Sequence, residues 1–353
     1  MSIVPTIIES LQELGLTKRE AEVYVTIWSK GGATVKDLLD TLDVHQPQLY
    51  NIIQSLIRKG FIKASAGRPR VYTAVDIGAI IDVQKMKLDS LKSSLVKELE
   101  YLKTVSSNEE PYISIIRSLE GIIAGIIEVI NSSEIELRLE VPYQIFKKVE
   151  DYILNAVRRG VNVYVLVYPE KVAFHDDFKK HSTNVRIRVS ELGNFLLVIG
   201  DLSKAIYSKR RFFSPTKLPP SSTEIYGYEI HEKDLLLRLL NIHNVLWRKA
   251  KEVIGWKPGT DVYPKDFLEF SLVLDELESL LRMGYSPYVT VEGRDVREGT
   301  PIKLFGRVRG INKSEIISNF VLETEEGVFS VGGFDAEVED IEAQKVTIER
   351  VEG

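Results

Sequence analysis

The 353-residue chain has no cysteine, which excludes disulfides, thiolate metal centres and cysteine nucleophiles. Its length exceeds one ordinary hydrophobic core, and 44% apolar with 27% charged residues describes a globular protein of several domains. No apolar run approaches the roughly 18 residues that span a bilayer. The opening MSIVPTIIESLQELG lacks a basic n-region and carries Glu9 and Glu13, so an intracellular, cytoplasmic protein without a membrane partner is expected.

The net charge of -5 hides an asymmetry. Residues 45–75 hold Arg58, Lys59, Lys63, Arg68 and Arg70 and no acid, whereas the tail from Glu323 holds ten acids against Lys345 and Arg350. Different partners for the two ends follow.

Along the chain, Ile7, Ile8, Leu11 and Leu14 fall at helical spacing and Gly15 ends the run. Thr17 with Glu20, and Thr34 with Asp37, have the spacing of capping boxes that open two further helices. Pro47 suits the first turn of the next helix, in which Leu49, Ile52, Ile53, Leu56 and Ile57 make one buried face. The other positions carry Gln46, Gln48, Tyr50, Asn51, Gln54, Ser55 and Arg58, and Gly60 closes the helix. FIKASAGRPRVYTAV then predicts a hairpin, with arms Phe61–Ser65 and Val71–Val75 and the tip at residues 67–70. This order predicts a winged helix-turn-helix over residues 1–76.

Gln and Asn can each make two hydrogen bonds to adenine, and Arg can do so to guanine. Arginines at a hairpin tip suit phosphates or a minor groove, and carboxylates there would be repelled. Gln46, Gln48, Tyr50, Asn51, Gln54, Arg58, Arg68 and Arg70 are therefore the candidate contacts to double-stranded DNA. A solvated polar helix beside an ordinary basic loop is the plainer alternative.

Asp76 is placed to cap a long helix over 77–104. Ile81, Leu88, Leu95 and Leu102 recur every seventh residue, with Leu91 and Leu99 beside the same seam. A two-stranded coiled coil joining a homodimer is expected, against a helix packed on its own domain. Gln84 and Glu98 interrupt the second row.

The polar, Pro111-containing VSSNEEPYIS marks a boundary, and 111–254 alternates helices with apolar strands, which predicts an α/β layer domain. A helix is expected over 118–131, another from Pro142 to Arg159, and a long one from about Lys233 to Val253. HEK at 231–233 matches the start of the H-x-K-x4-D signature of phospholipase D enzymes. Arg238 stands where the Asp is required, and no second copy exists. His175-Asp176-Asp177 reads as a surface loop rather than a metal site, and no glycine-rich phosphate loop occurs. Neither catalysis nor a cofactor is expected.

GWKPGTDVYPKD (255–266) reads as a linker, a helix is expected from about Phe267 to Arg282, and 265–353 ends in short strands of a small antiparallel barrel or sandwich. The acids Asp335, Glu337, Glu339, Asp340 and Glu342 admit a solvated edge, a metal site or a polar ligand site. Strand geometry turns neighbouring acids to opposite faces, so a metal cage does not follow. Asn319, Gly332, Gly333 and Glu339 could hold sugar hydroxyls.

This order of parts resembles the archaeal TrmB family of sugar-responsive transcriptional regulators over essentially the whole chain. LGLTKREAEVYVTIWSKGGATVKDLLDTLDVHQPQLYNIIQSLIRKGFI and ETEEGVFSVGGFDAEVEDIEA carry the likeness. The resemblance implies an α+β multidomain fold: winged helix-turn-helix, coiled-coil helix, a non-catalytic α/β phospholipase-D-like domain and a small C-terminal β domain. It implies regulation of sugar transport or metabolism genes, with a maltose-type oligosaccharide or glucose as effector. The family's ligand-contacting Asn, Gly and Glu fall on Asn319, Gly333 and Glu339, and the middle domain's contribution is assigned to the region of His231. Two other readings are a ligand-independent architectural DNA-binding protein and a phospholipase-D-type phosphodiesterase.

Overall fold

The computed structural model describes residues 3–102, 111–169, 174–181, 183–213, 225–255, 262–313 and 318–353. It divides into two compact units, Met1–Asn108 and Glu109–Gly353.

The first unit contains α1 (Ile3–Glu13), α2 (Lys18–Ser29), α3 (Val35–Leu39), α4 (Gln46–Arg58), β1 (Ile62–Ala64), β2 (Tyr72–Ala74) and α5 (Ile77–Leu102). Both capping boxes form, Thr17 with Glu20 and Thr34 with Asp37. Leu49, Ile53 and Leu56 of α4 are completely buried and pack with Ala21, Tyr24, Ile27 and Leu38. The hairpin β1–β2 pairs Ile62 with Ala74, Lys63 with Thr73 and Ala64 with Tyr72, and Ala33 bridges to Tyr72 as a third short edge. Asp76 caps α5 by accepting from the Ala79 N–H at 3.0 Å.

Glu20 has a second role. While capping α2, its carboxylate accepts from Ser55 Oγ and from Lys59 Nζ, at 2.5 and 2.8 Å, and so ties α2 to α4. Burial pushes the Glu20 pKa up, but hydrogen bonds from Lys59, Ser55 and Thr17 overcome it and hold the group at about 2. A depressed carboxyl pKa stabilises the fold above the ordinary 4.5, and that contribution is lost as the pH falls from 4.5 towards 2. Glu20→Gln is expected to lower the stability of this unit by about 1–3 kcal/mol at pH 7. In urea titrations across pH 2–7, the gap between wild type and variant should close on the acid side.

The second unit holds β3 (Ile113–Ile116), α6 (Leu119–Ser132), β4 (Glu136–Pro142), α7 (Tyr143–Arg158), β5 (Asn162–Tyr168), α8 (Asp177–Lys180), β6 (Val185–Val189), β7 (Leu196–Gly200), β8 (Lys204–Ser208) and β9 (Gly227–Ile230). It continues with α9 (Lys233–Lys249), β10 (Lys251–Ile254), β11 (Lys265–Phe267), α10 (Phe270–Arg282), β12 (Ser286–Asp295), β13 (Pro301–Lys313), β14 (Ser318–Glu323), β15 (Val328–Gly332) and β16 (Ile341–Glu352). Eight strands form a mixed sheet in the order β10-β6-β5-β4-β7-β8-β9-β3. The β4–β5 and β5–β6 pairs are parallel, as the intervening α7 and α8 crossovers allow. The C-terminal sheet runs β11-β16-β12-β13-β14-β15 and closes where β15 pairs in parallel with β16, a barrel with one parallel contact.

Several element bounds differ from the expectations. The long helix stops at Lys249 rather than Val253. Ala250 turns extended (φ −72, ψ 147) and the next residues become β10, which pairs with β6 and buries Ile254. The two units divide within the expected boundary stretch 105–114, whose last residues begin β3, whereas the linker 255–266 contains the start of β11. The helix placed from Phe267 begins at Phe270, where Glu269 caps it by accepting from the Ser271 N–H. VFSVGGFDAEVEDIEA divides into β15, a loop over 333–340 and β16.

The largest surprise lies on one face of the first sheet. Leu137, Leu139 and Val141 of β4 enter the core under α6 and α7. Strand alternation sends Glu136, Arg138 and Glu140 to the other face, where they are 2%, 1% and 0% exposed. There Arg138 donates to Glu269 at 3.1 Å and to Asn244 at 2.6 Å, and lies over Tyr164 and Trp247. Arg186 and Lys265 both bond Glu276, and Glu140 bonds His243. This buried ionic layer fastens α9, α10 and the barrel to the sheet. Within it, burial and the neighbouring Glu269 push Glu136 up to about 7, and its Oε1 has no hydrogen-bond partner among the described residues.

Candidate nucleic-acid interface and effector site

On α4 the residues opposite the buried stripe are exposed: Gln46, Gln48, Tyr50, Asn51, Gln54 and Arg58. Arg68 and Arg70 are exposed at the tip of the wing, where Ser65 and Val71 close the turn through the Ser65 N–H to Val71 carbonyl bond and the Val71 N–H to Ser65 Oγ bond. All eight candidates are thus surface side chains on α4 or at the wing tip. Two neighbours from the same segment are not available: Ser55 and Lys59 are turned to Glu20, and Lys59 also donates to the Gly15 carbonyl at 2.8 Å. His45 opens α4 without a side-chain cap.

In the second unit two adjoining cavities lie where α9 and the start of α10 meet the barrel. The smaller, about 240 Å³, is walled by Asn241, Asn244 and Arg248 of α9, by Ser271, and by Gly333 and Gln344. The larger, about 620 Å³, is walled by Arg248, Phe270, Ser271, Asp275, Lys313 and Ser318. Arg248, Phe270 and Ser271 belong to both.

Of the predicted ligand residues, Gly333 lines the smaller cavity, whereas Asn319 and Glu339 line neither cavity and pair with each other on the barrel. Asn319 Nδ2 donates to Glu339 Oε1 at 3.3 Å, and Asn312 donates to Asn319 at 3.0 Å. Gly332 has no room for a side chain, because a Cβ there would lie 2.8 Å from the Glu339 carboxyl carbon. At Gly333 a Cβ would meet Phe270 at 2.9 Å. Phe270 in turn stacks on Phe320 beside Asn319, with centroids 5.8 Å apart. Lys233 sits over the Phe334 ring at 4.5 Å and holds the turn that follows.

His231 is not part of this group. Its Nε2 is 2.9 Å from Glu229, its ring stacks on Tyr112, and it lines neither cavity. The α/β side contributes Lys233, Leu237, Asn241, Asn244 and Arg248 instead, all from α9. Their spacing of four, four, three and four is that of one helical stripe. That periodicity was present in the sequence, but nothing in it marked the stripe as a wall.

The acids near the end do not share one role. Glu339 meets Asn319, Asp340 accepts from Ser330, and Glu342 is buried against Arg294. Among the described residues no cluster of three His, Asp or Glu side chains is arranged to hold a metal ion. No described helix is long and apolar enough to cross a membrane.

An exposed polar helix and basic wing in one unit, with a polar cavity between an α/β sheet and a barrel in the other, define a ligand-controlled DNA-binding regulator as a class. Three family descriptions match consecutive stretches: "Sugar-specific transcriptional regulator TrmB" over 11–78, the TrmB EBD N-terminal subdomain over 112–254, and the TrmB/TrmBL1 EBD C-terminal subdomain over 262–351. The chain belongs to the TrmB family.

Similar proteins include the sugar-sensing transcriptional regulator TrmBL1 of Pyrococcus furiosus, 22% identical over 96% of this chain and 97% of that one. The regulator TrmBL2 of the same organism is 24% identical over 70% of this chain and 98% of its own length. Among solved structures, TrmBL2, described as an archaeal chromatin protein, aligns with 22% identity over 70% of this chain and 99% of its own, at a TM-score of 0.34. Nuc of Salmonella typhimurium, a phospholipase D family member, aligns with 16% identity over 41% of this chain and all of its own, at 0.30. Scores this low carry no functional weight.

Proposed function

We propose that this protein is a homodimeric, sequence-specific transcriptional regulator of sugar transport or sugar metabolism genes, controlled by a sugar bound beside α9. It is read as a cytoplasmic protein without enzymatic activity, divided into a DNA-binding head (1–76), a pairing helix (77–104), an α/β effector domain (111–254) and a C-terminal domain (265–353). The observation that carries the proposal is the exposed, carboxylate-free surface of α4 and the wing on a chain that is otherwise net acidic.

Gln46, Gln48, Tyr50, Asn51, Gln54 and Arg58 would face the major groove, and Arg68 and Arg70 the flanking phosphates or minor groove. Pairing is supported by α5, where Leu88, Leu91, Leu95 and Leu99 share one face and are 44–64% exposed in the single chain. A stripe of that size is best covered by a second copy. Pairing would set two α4 helices against two half-sites.

For the effector, Asn319 and Glu339 would take sugar hydroxyls, Gly333 would admit the ring close to the backbone, and Asn241 and Arg248 would approach from the opposite wall. A maltose-type oligosaccharide or glucose suits this donor and acceptor set. The regulator reading is preferred to an architectural one because the chain extends beyond the TrmBL2 match and its C-terminal stretch fits the TrmB/TrmBL1 description.

Calorimetric titration with maltose, maltotriose and glucose tests the assignment. Glu339→Gln and Asn319→Ala are each expected to weaken sugar binding at least tenfold while leaving DNA affinity without sugar unchanged. Equal sugar affinity in wild type and both variants would place the effector elsewhere.

A further inference from the structure

The two ends of the eight-stranded sheet are finished differently. At one end β10 carries Lys251 and Glu252, and its register with β6 breaks between Glu252 and Ile254. Charges and a bulge on an edge strand discourage pairing with another chain. At the other end β3 reads Ile113-Ser114-Ile115-Ile116, pairs with β9 without a register break, and has no charge or proline within it. Ile113 and Ile115 are 52% and 54% exposed.

The hydrogen-bond phase of this edge can be worked out. His231 N–H donates to the Tyr112 carbonyl at 2.9 Å, so Tyr112 faces His231 in a bonded pair. Antiparallel pairs alternate. Ser114 and Ile116 therefore also bond to β9, and the N–H and C=O of Ile113 and Ile115 point away from the sheet. Among the described residues no strand other than β9 pairs with β3. Two outward residues flank Ser114 symmetrically. A second β3 in antiparallel orientation would bond Ile113 to Ile115 of its partner and the reverse, about a two-fold axis through Ser114. The four isoleucine side chains would meet on the face opposite Ser114.

We infer that two copies of this protein join edge to edge through β3, making one continuous sheet across the dimer. A second copy is the occupant because the edge is self-complementary, as an isologous contact requires. The path of the chain agrees: only ten residues separate Leu102, the last of α5, from Ile113. Fully extended they reach roughly 35 Å, so pairing of α5 raises the local concentration of the second β3. The inference rests on the paired-α5 reading for that proximity alone.

The chain lacks cysteine, so a single introduced thiol reports the contact. Ser114→Cys stands on the two-fold, where a non-bonded antiparallel pair brings Cα atoms to about 4.5 Å, within disulfide range. Full-length Ser114→Cys under mild oxidation should form a disulfide dimer, read on non-reducing gels, at least tenfold faster than the same variant carrying Ile115→Pro. Proline there removes an outward N–H and no bond to β9. Ile113→Lys, a surface change, should slow the link similarly.

Leu95→Cys in α5 serves as the reference for helix pairing. Linking at Leu95→Cys without linking at Ser114→Cys would overturn the edge contact and leave α5 pairing intact. Monomeric sedimentation with neither link would overturn both. Linking at Ser114→Cys that is unaffected by Ile115→Pro and Ile113→Lys would show chance collision and overturn the edge contact.

Discussion

Reversing Arg68 and Arg70 together to glutamate should weaken binding to double-stranded DNA by at least about 100-fold near 0.1 M salt, with the fold intact. Both side chains are exposed at the wing tip, outside the buried cluster that holds the first unit together. A duplex carries one charge per ~1.7 Å, and each neutralised phosphate contributes about 0.9 to the slope of log affinity against log salt. Losing two cationic contacts should therefore flatten that slope by about two, and the new carboxylates add repulsion. Asn51→Ala should behave differently. A base-reading contact is worth about 1–3 kcal/mol for one sequence over another, so preference among sequences should relax with little change in slope. Fluorescence anisotropy at several salt concentrations separates the two. Arg68→Glu/Arg70→Glu with wild-type affinity and slope would remove the wing from the interface.

Arg138→Met is the second large effect, and it falls on stability. Arg138 is 1% exposed and bonds Glu269 and Asn244 between two aromatic faces. Methionine fills much of the volume but leaves the Glu269 carboxylate buried without its cation. Breaking a buried pair from one side costs about 3–5 kcal/mol, chiefly through the charge left behind. For a unit of this size that corresponds to a fall of roughly 6–20 °C in Tm. Removing both partners in Arg138→Met/Glu269→Met should cost less than the sum of the single changes. Because Asn244 and Glu269 also line the smaller cavity, the single variant should bind sugar more weakly as well. Calorimetric unfolding of both variants checks this, and additive losses would mean that the layer does not act as a unit.

The parts of this molecule written in local periodicity could be read directly. The buried face of α4 follows from the spacing of Leu49, Ile52, Ile53 and Leu56, and each capping box from two residues three apart. The ionic layer could not be read that way. ELRLE looks like a strand with one wet face, and only a partner such as Glu269, 131 residues beyond Arg138, makes that face dry. β3 was hidden because it follows a polar, proline-containing stretch and its four residues are too few for their alternation to stand out. The cavity-facing stripe of α9 was visible as a helix face but not as a cavity wall, since Gly333 and Gln344, which complete the wall, arrive from about 90 residues later. His231 attracted attention through its motif-like neighbours, yet Glu229 and Tyr112 hold it elsewhere.

The central claim is that a sugar in the α9 cavity alters the grip of α4 and the wing on DNA. Its most direct test is the Kd of the full-length protein for duplex DNA, by anisotropy at fixed salt, with and without saturating maltose, maltotriose or glucose. A coupling of typical size, about 1–3 kcal/mol, predicts a shift of roughly 5- to 150-fold with at least one sugar, matched by an equal shift in sugar affinity when DNA is bound. Tight, salt-dependent DNA binding whose Kd is the same with every sugar would contradict the account.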